Sequence, residues 1–239
     1  MPSIFYPANE RGHVQFDWLD TYHSFSFGQY HDPSKIHFGA LRVLNDDKVD
    51  AGMGFGTHPH DNMEIITIPL FGDLHHRDST GRDCIIKEHD VQIMSAGSGI
   101  QHSEVNPNKD KRVELFQIWI FPKERNITPR YDQKSFLPED RVDQLLTVVS
   151  PNEPNTLFIN QDAWLSLGHF KKPFTTNYPM HQAGQGLFAI CIEGTCTVGG
   201  QVLGRRDAVG ISGVEAVQIE ATAGSDLLLI EIPHFTTGA

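Results

Sequence analysis

The feature that most constrains this chain is the shortness of its apolar runs. Phe38–Leu44, Met63–Phe71, Val91–Met94, Val113–Phe121, Leu145–Val149, Leu187–Ile192, Val217–Ile219 and Leu227–Ile232 are rich in β-branched and aromatic residues. Most stop at Gly, Pro, Asn or Asp, which is how strands separated by turns read. Thr197–Leu203 reads as a tight hairpin around Gly199-Gly200, and Ser79-Thr80-Gly81 as a second hairpin tip. Helical periodicity is weak. Pro138–Leu146, with acidic residues after its proline, suits two helical turns. The expected class is mainly all-β with few short helices.

A weak internal repeat divides the chain. An apolar run reaches Gly72 and is followed by Asp90-x4-Ser95; another reaches Gly194 and is followed by Asp207-x4-Ser212. Two related β units follow, 1–133 and 134–239, with the polar stretch Pro129–Pro138 as the join. Bulk chemistry narrows the partners. The net charge of −11 and the absence of a dense basic run argue against direct contact with nucleic acid. No apolar run approaches the roughly 20 residues of a membrane helix, and the opening residues lack a signal-peptide pattern. Three cysteines, Cys84, Cys191 and Cys196, form no CxxC pair and read as ordinary reduced thiols. The expected location is cytoplasmic.

Chemistry concentrates in the first half. Gly52–Glu64 fits G-x5-H-x-H-x3-E, and strand residues two apart share a face. His58 and His60 therefore project together, and Glu64 has the same parity if the strand continues. About forty residues on, His102 and Glu104 form a second pair behind the Gly-rich turn Ser95–Gly99. Three imidazoles and one carboxylate would hold a divalent ion with positions left open, as a catalytic site needs. Spacing alone leaves Glu64 and Glu104 as rivals for the fourth position, the loser orienting a histidine.

These residues carry a family resemblance. Arg11-Gly-His13, His23-Ser-Phe-Ser-Phe27, Leu41–Asp47, His58-Pro-His60, Met63-Glu64-Ile65, Ile93–Gly97 and His102-Ser-Glu104-Val-Asn106 occur in order, and the chain resembles the pirin family of bicupins. The resemblance implies two cupin-type β-barrels. It implies one divalent metal per chain on His58, His60, His102 and Glu104, with Fe(II) favoured and Zn, Mn, Ni, Co or Cu accepted by the same donors. One departure stands out: the second motif usually opens with Gly where this chain has His89. The second half has no HxH at the matching place, which holds Met180-His181-Gln182, so no second metal is expected.

The resemblance also implies a reaction. Pirin-like proteins include quercetin 2,3-dioxygenases, which cleave a flavonol with O2 and release carbon monoxide. Here Glu104, or Glu64 in its place, would accept the flavonol hydroxyl proton. The alternative is a non-catalytic iron-binding redox sensor or co-regulator acting through a protein partner. His76 matches a histidine common in the family and is a candidate for orienting a ligand. Other polar residues read more simply: His75-His76 as neighbours facing opposite ways, His181 as satisfied or exposed, Asp46-Asp47 as a turn cap, His23–Phe27 as packing, and Cys84 as inert. Because ligand histidines must be neutral, metal loss is expected as pH falls below the histidine range.

Overall fold

A computed structural model describes residues 2–234, so residue 1 and residues 235–239, the outer ends of the two expected units, lie outside the description. The described chain is all-β apart from two single turns of 3-10 helix, Ala8–Glu10 and Pro138–Arg141. Among the described residues no helix is long and apolar enough to cross a membrane. The two helical turns expected over Pro138–Leu146 are not formed. The 3-10 turn ends at Arg141, Asp143 takes a left-handed φ of 52°, and Leu145–Ser150 is a strand. A left-handed residue ends a right-handed helix.

Each half pairs a seven-stranded sheet with a four-stranded one. In the first half the large sheet runs Arg130–Ser135, Asp90–Ser95, Glu64–Phe71, Val113–Ile120, Leu41–Val49, Leu19–His23, Gly12–Gln15. The small sheet runs Gly54–His60, Ile100–Val105, Leu74–Asp78, Asp83–Ile86. The stretch expected to join the halves is thus largely a strand, Arg130–Ser135, paired with Asp90–Ser95. The second half repeats the plan, with one addition: Ser3–Tyr6 crosses over to pair with Ala208–Ser212.

The repeat is visible in the backbone. Gly72 and Gly194 have φ of 75° and 77°, and the residues before the two Asp-x4-Ser segments, His89 and Arg206, have φ of 73° and 68°. Asp90 and Asp207 each accept a hydrogen bond from the amide three residues earlier, Lys87 and Gly204. The sequence departure at His89 therefore leaves the turn intact, at the cost of about 1 kcal/mol for a left-handed non-glycine residue.

Alternation along the strands sorts the interior. In Glu64–Phe71, Ile66 and Ile68 face the second half and join a cluster with Leu41, Phe116, Phe188 and Ile230 between the two large sheets. Ile65 points the opposite way, into the first barrel, with Met94 and Trp119. The second barrel is filled with apolar side chains, among them Leu187, Ala189, Leu229 and Ile219. Where the first barrel places Thr67 opposite Gln117, five residues before Gly72, the second places Ala189 opposite Leu229. The two interiors differ in chemistry although they share a backbone plan.

Candidate metal centre

The first barrel's small sheet brings the two sequence motifs together. His58 and His102 are direct cross-strand partners in Gly54–His60 and Ile100–Val105, and His60 lies two residues along on the same face. The strands approach closely at Gly54, where a Cβ would stand 2.2 Å from the Glu104 carbonyl oxygen. Nε2 of His102 lies 3.0 Å from Nε2 of His60 and 3.0 Å from Nε2 of His58. Nδ1 of His58 lies 2.8 Å from the Gly56 carbonyl. A carbonyl only accepts, so this nitrogen carries the proton and Nε2 turns a lone pair inward.

Three ring nitrogens converge with no acid among them, a poor arrangement for imidazoles alone and a good one for a cation. The donor set fits the implied divalent metal. Its type does not select one ion, because neutral imidazoles accept Fe, Ni, Cu, Co, Mn and Zn.

Glu104 is fully buried beside this cluster. Its ligand atoms group with His76 and His102 within 4.8 Å, as those of His58, His60 and His102 group with one another. Thr67 Oγ1 donates to Glu104 Oε1 at 3.1 Å and Gln117 Nε2 donates to Oε2 at 2.7 Å. Burial raises the Glu104 carboxyl to about 7, with the charge of Asp47 adding to the effect against these hydrogen bonds.

Glu64 is placed elsewhere. The strand breaks at Asn62, whose φ is 47°, so parity does not carry over from His60. Glu64 Oε2 accepts from Ser95 Oγ at 2.8 Å and from the Asn160 amide at 3.1 Å, which ties it to the second half. Neither metal-capable group among the described residues contains it.

His76 faces inward, with Nε2 3.0 Å from Asp78 Oδ2 and its ring 5.4 Å from that of His102. His75 turns outward to Asp83, at 2.6 Å. Cys84 Sγ donates to the Tyr131 hydroxyl at 3.1 Å. His181 is satisfied in the second half between Glu231 and Glu153, at 2.7 and 3.2 Å.

Two sequence readings need correction. Asp46 and Asp47 do not cap a turn but sit inside Leu41–Val49, facing opposite ways. Asp46 meets Arg11 and Arg206, while Asp47 lines the pocket around the three histidines and accepts from Thr21. The His23–Phe27 block is only partly packing: Phe25 lies in the core between the halves, but His23 and Phe27 line the pocket. The pocket holds about 80 Å³ and is walled by Phe27, Phe55 and Trp119 around the three histidines.

Burial holds His23 and His60 down to about 4, and His102 to about 2, with neighbouring histidines adding to the effect on the last two. An unfolded histidine titrates near 6.5. Below that pH the unfolded chain takes up protons that the fold refuses, so the stability these histidines contribute is full above pH 6.5 and falls as acid is added. The slope is about 1.4 kcal/mol per pH unit for each such histidine down to about pH 4. The buried carboxyls of Glu104 and Asp47, raised to about 7, act the opposite way over the same range, so the histidine share is read as a difference between proteins. From pH 7 to pH 5 the urea midpoint of metal-free His23→Phe should rise relative to that of metal-free wild type. Equal pH dependence in the two proteins would contradict the buried neutral state of His23.

Comparisons with known proteins agree with this architecture. The Pirin family model matches residues 6–120, and the model for the quercetinase C-terminal cupin domain matches residues 147–232. The chain is 42% identical over 229 residues to a quercetin 2,3-dioxygenase of Escherichia coli (strain K12), covering 95% of this chain and 96% of that protein. It is 36% identical over 227 residues to a pirin-like protein of Caulobacter vibrioides, covering 94% and 97%. The crystal structure of the bacterial pirin YhhW of E. coli in complex with nickel(II) superposes with a TM-score of 0.92. That pair shares 39% identity and covers 98% of this chain and 100% of the other. With both halves matched in order and relatives spanning nearly its whole length, the chain belongs to the pirin family of cupin proteins.

Proposed function

We propose that the protein is a metal-dependent dioxygenase of the quercetin 2,3-dioxygenase type, acting on a flavonol or a related small molecule with O2. The observation that carries this reading is the convergence of three imidazole nitrogens in an aromatic-walled pocket with a buried carboxyl beside them. His58, His60 and His102 would hold the metal, with Glu104 as fourth ligand; Fe(II) is the favoured ion, and the nickel found in the E. coli relative fits the same donors. The bound ion would supply Lewis acidity to the substrate oxygens and a site for O2 chemistry.

The chain's own residues do the rest. Thr67 and Gln117 fix the Glu104 carboxyl by one hydrogen bond to each oxygen. Burial raises that carboxyl in the metal-free site, and a bound dication would favour its ionised form, in which it can take the substrate hydroxyl proton. Asp47, also raised to about 7 by burial, stands in the same pocket. The cavity of about 80 Å³ is small beside the roughly 300–1,000 Å³ of ordinary ligand pockets. It takes the oxygen-bearing edge of a flavonol, and the rest of the molecule enters only if the rings of Phe27, Phe55 and Trp119 part.

That small volume is also the one observation that favours a non-catalytic metal protein acting through a partner. One experiment separates the two readings. Metal-loaded protein given quercetin should consume O2 and release carbon monoxide in equal amounts, and chelator-stripped protein should do neither. Loaded protein that takes up no O2 across a flavonol panel would reject the dioxygenase reading.

A further inference from the structure

Five strands of the first barrel carry a polar row in register. Gln92 pairs with Thr67, Thr67 with Gln117, Gln117 with Asn45, and Asn45 with His23. All five side chains are buried. The middle of the row has a partner, because Thr67 and Gln117 grip Glu104. Neither end does: Gln92 at one end and His23 with Asn45 at the other carry atoms unpaired among the described residues, and the His23–Asn45 end is the one that lines the pocket. These residues are 4% and 3% exposed, both line the metal pocket, and His23 Nδ1 and Asn45 Oδ1 have no hydrogen-bond partner among the described residues. Buried polar atoms in native proteins are nearly always paired, and leaving one unpaired is costly. Two orphaned atoms on adjacent strands, in residues that line one cavity, make a site for a polar group that the protein does not itself supply.

We propose that His23 and Asn45 form a recognition pair for a hydroxyl group of the substrate, separate from the metal ligands, and so select polyhydroxylated aromatic molecules. The inference rests on reading the pocket as a small-molecule site. The chemistry of the pair picks the hydroxyl. Asn45 Oδ1 can only accept. His23, kept neutral by burial, offers one ring nitrogen as donor and one as acceptor. A single hydroxyl satisfies both by donating to Asn45 and accepting from His23. An anion would meet Asp47 and Glu104 in the same pocket. The aromatic body is set by Phe27, which meets His23 edge-on at 5.4 Å, and by Trp119, which packs on Phe27 at 5.2 Å.

The test measures binding without turnover. Nickel-loaded protein is titrated in the absence of O2 with quercetin and with 3-hydroxyflavone, which keeps the chelating edge but lacks the ring hydroxyls. A second arm uses pyrogallol and catechol, which differ by one hydroxyl. Wild-type protein should prefer the more hydroxylated partner of each pair at least about tenfold, as sites built to bond a hydroxyl do. The double variant His23→Phe with Asn45→Leu should lose that preference to within about twofold while keeping its nickel and its affinity for the less hydroxylated probes. His23→Gln, which retains a donor and an acceptor, should restore part of it when Asn45 is intact. If flavonols do not bind but pyrogallol keeps its preference, the flavonol reading falls and the recognition pair stands. A preference that survives the double variant, or one absent from wild-type protein with both probe pairs, overturns the pair and leaves it holding only solvent.

Discussion

Replacing His58 and His60 together by alanine should empty the metal centre without unfolding the protein. The wild-type chain should bind about one divalent ion, and the variant below about a tenth of one at micromolar metal, because a single imidazole and a carboxyl make a weak site. The two side chains are only partly buried, and the ring nitrogens lost with them contact chiefly His102 rather than the core. Metal-free variant and metal-free wild type should therefore melt within a few degrees of each other. Adding metal separates them. Free metal at a thousand times its Kd stabilises the wild type by about 4 kcal/mol, and the variant gains nothing. Metal content by mass spectrometry and calorimetric melting check the two halves of this expectation. A variant that still carries one ion per chain would mean that the ion sits on the other group, His76, His102 and Glu104.

Asp46→Ala should be the most damaging single change to stability, and it should leave the metal centre alone. Asp46 Oδ2 lies 3.1 Å from Arg11 Nη1 and 3.1 Å from Arg206 Nε, with side-chain exposures of 4%, 8% and 5%. Arg206 comes from the second half, donates to the Ile192 carbonyl at 2.8 Å and lies 5.1 Å from the Phe116 ring centroid. Removing the carboxylate strands two guanidinium groups where water does not reach them. Breaking a buried pair in this way costs about 3–5 kcal/mol, or roughly ten degrees of melting temperature for a chain of this size. Asp46 faces away from the pocket that Asp47 lines, so folded variant should keep its full metal content. A loss under about 1 kcal/mol in urea unfolding would show that the triad behaves as a surface pair.

The convergence of His58, His60 and His102 was legible because their spacing is a strand rule: two residues apart means one face, and the pairing of His58 with His102 needs only that the two segments be neighbours. The same rule misled for Glu64, since the left-handed turn at Asn62 resets the face, a turn that the Asp61-Asn62 pair favours and that strand parity ignores. Gln117, Thr67, Asn45 and Gln92 were hidden for a different reason. Each is one polar residue in or beside an apolar run, and a reading that scores runs absorbs it into the core. What exposes them is register, which lines them up across five strands, and register depends on pairings between residues far apart in sequence. Asp47 was lost to the short-range habit of aspartate at turns. The second half was easier to read, because an interior of Leu, Ala, Val and Ile is what the pattern says it is.

The crossover of Ser3–Tyr6 into the sheet of the second half bears on how the molecule is assembled as it is made. Ser3 is the register partner of Ile211 and Tyr6 of Ala208, so a ribosome must deliver nearly the whole chain before this strand has an edge to join. Such distant pairings close late, because the chain entropy of a long loop is lost before the contacts return it. Until then the segment is a free strand with exposed Ile4 and Phe5, and the receiving edge at Ala208–Ser212 stands open. Vectorial synthesis thus leaves a window in which one chain's early strand and another's late edge can meet, a route to strand exchange between nascent copies.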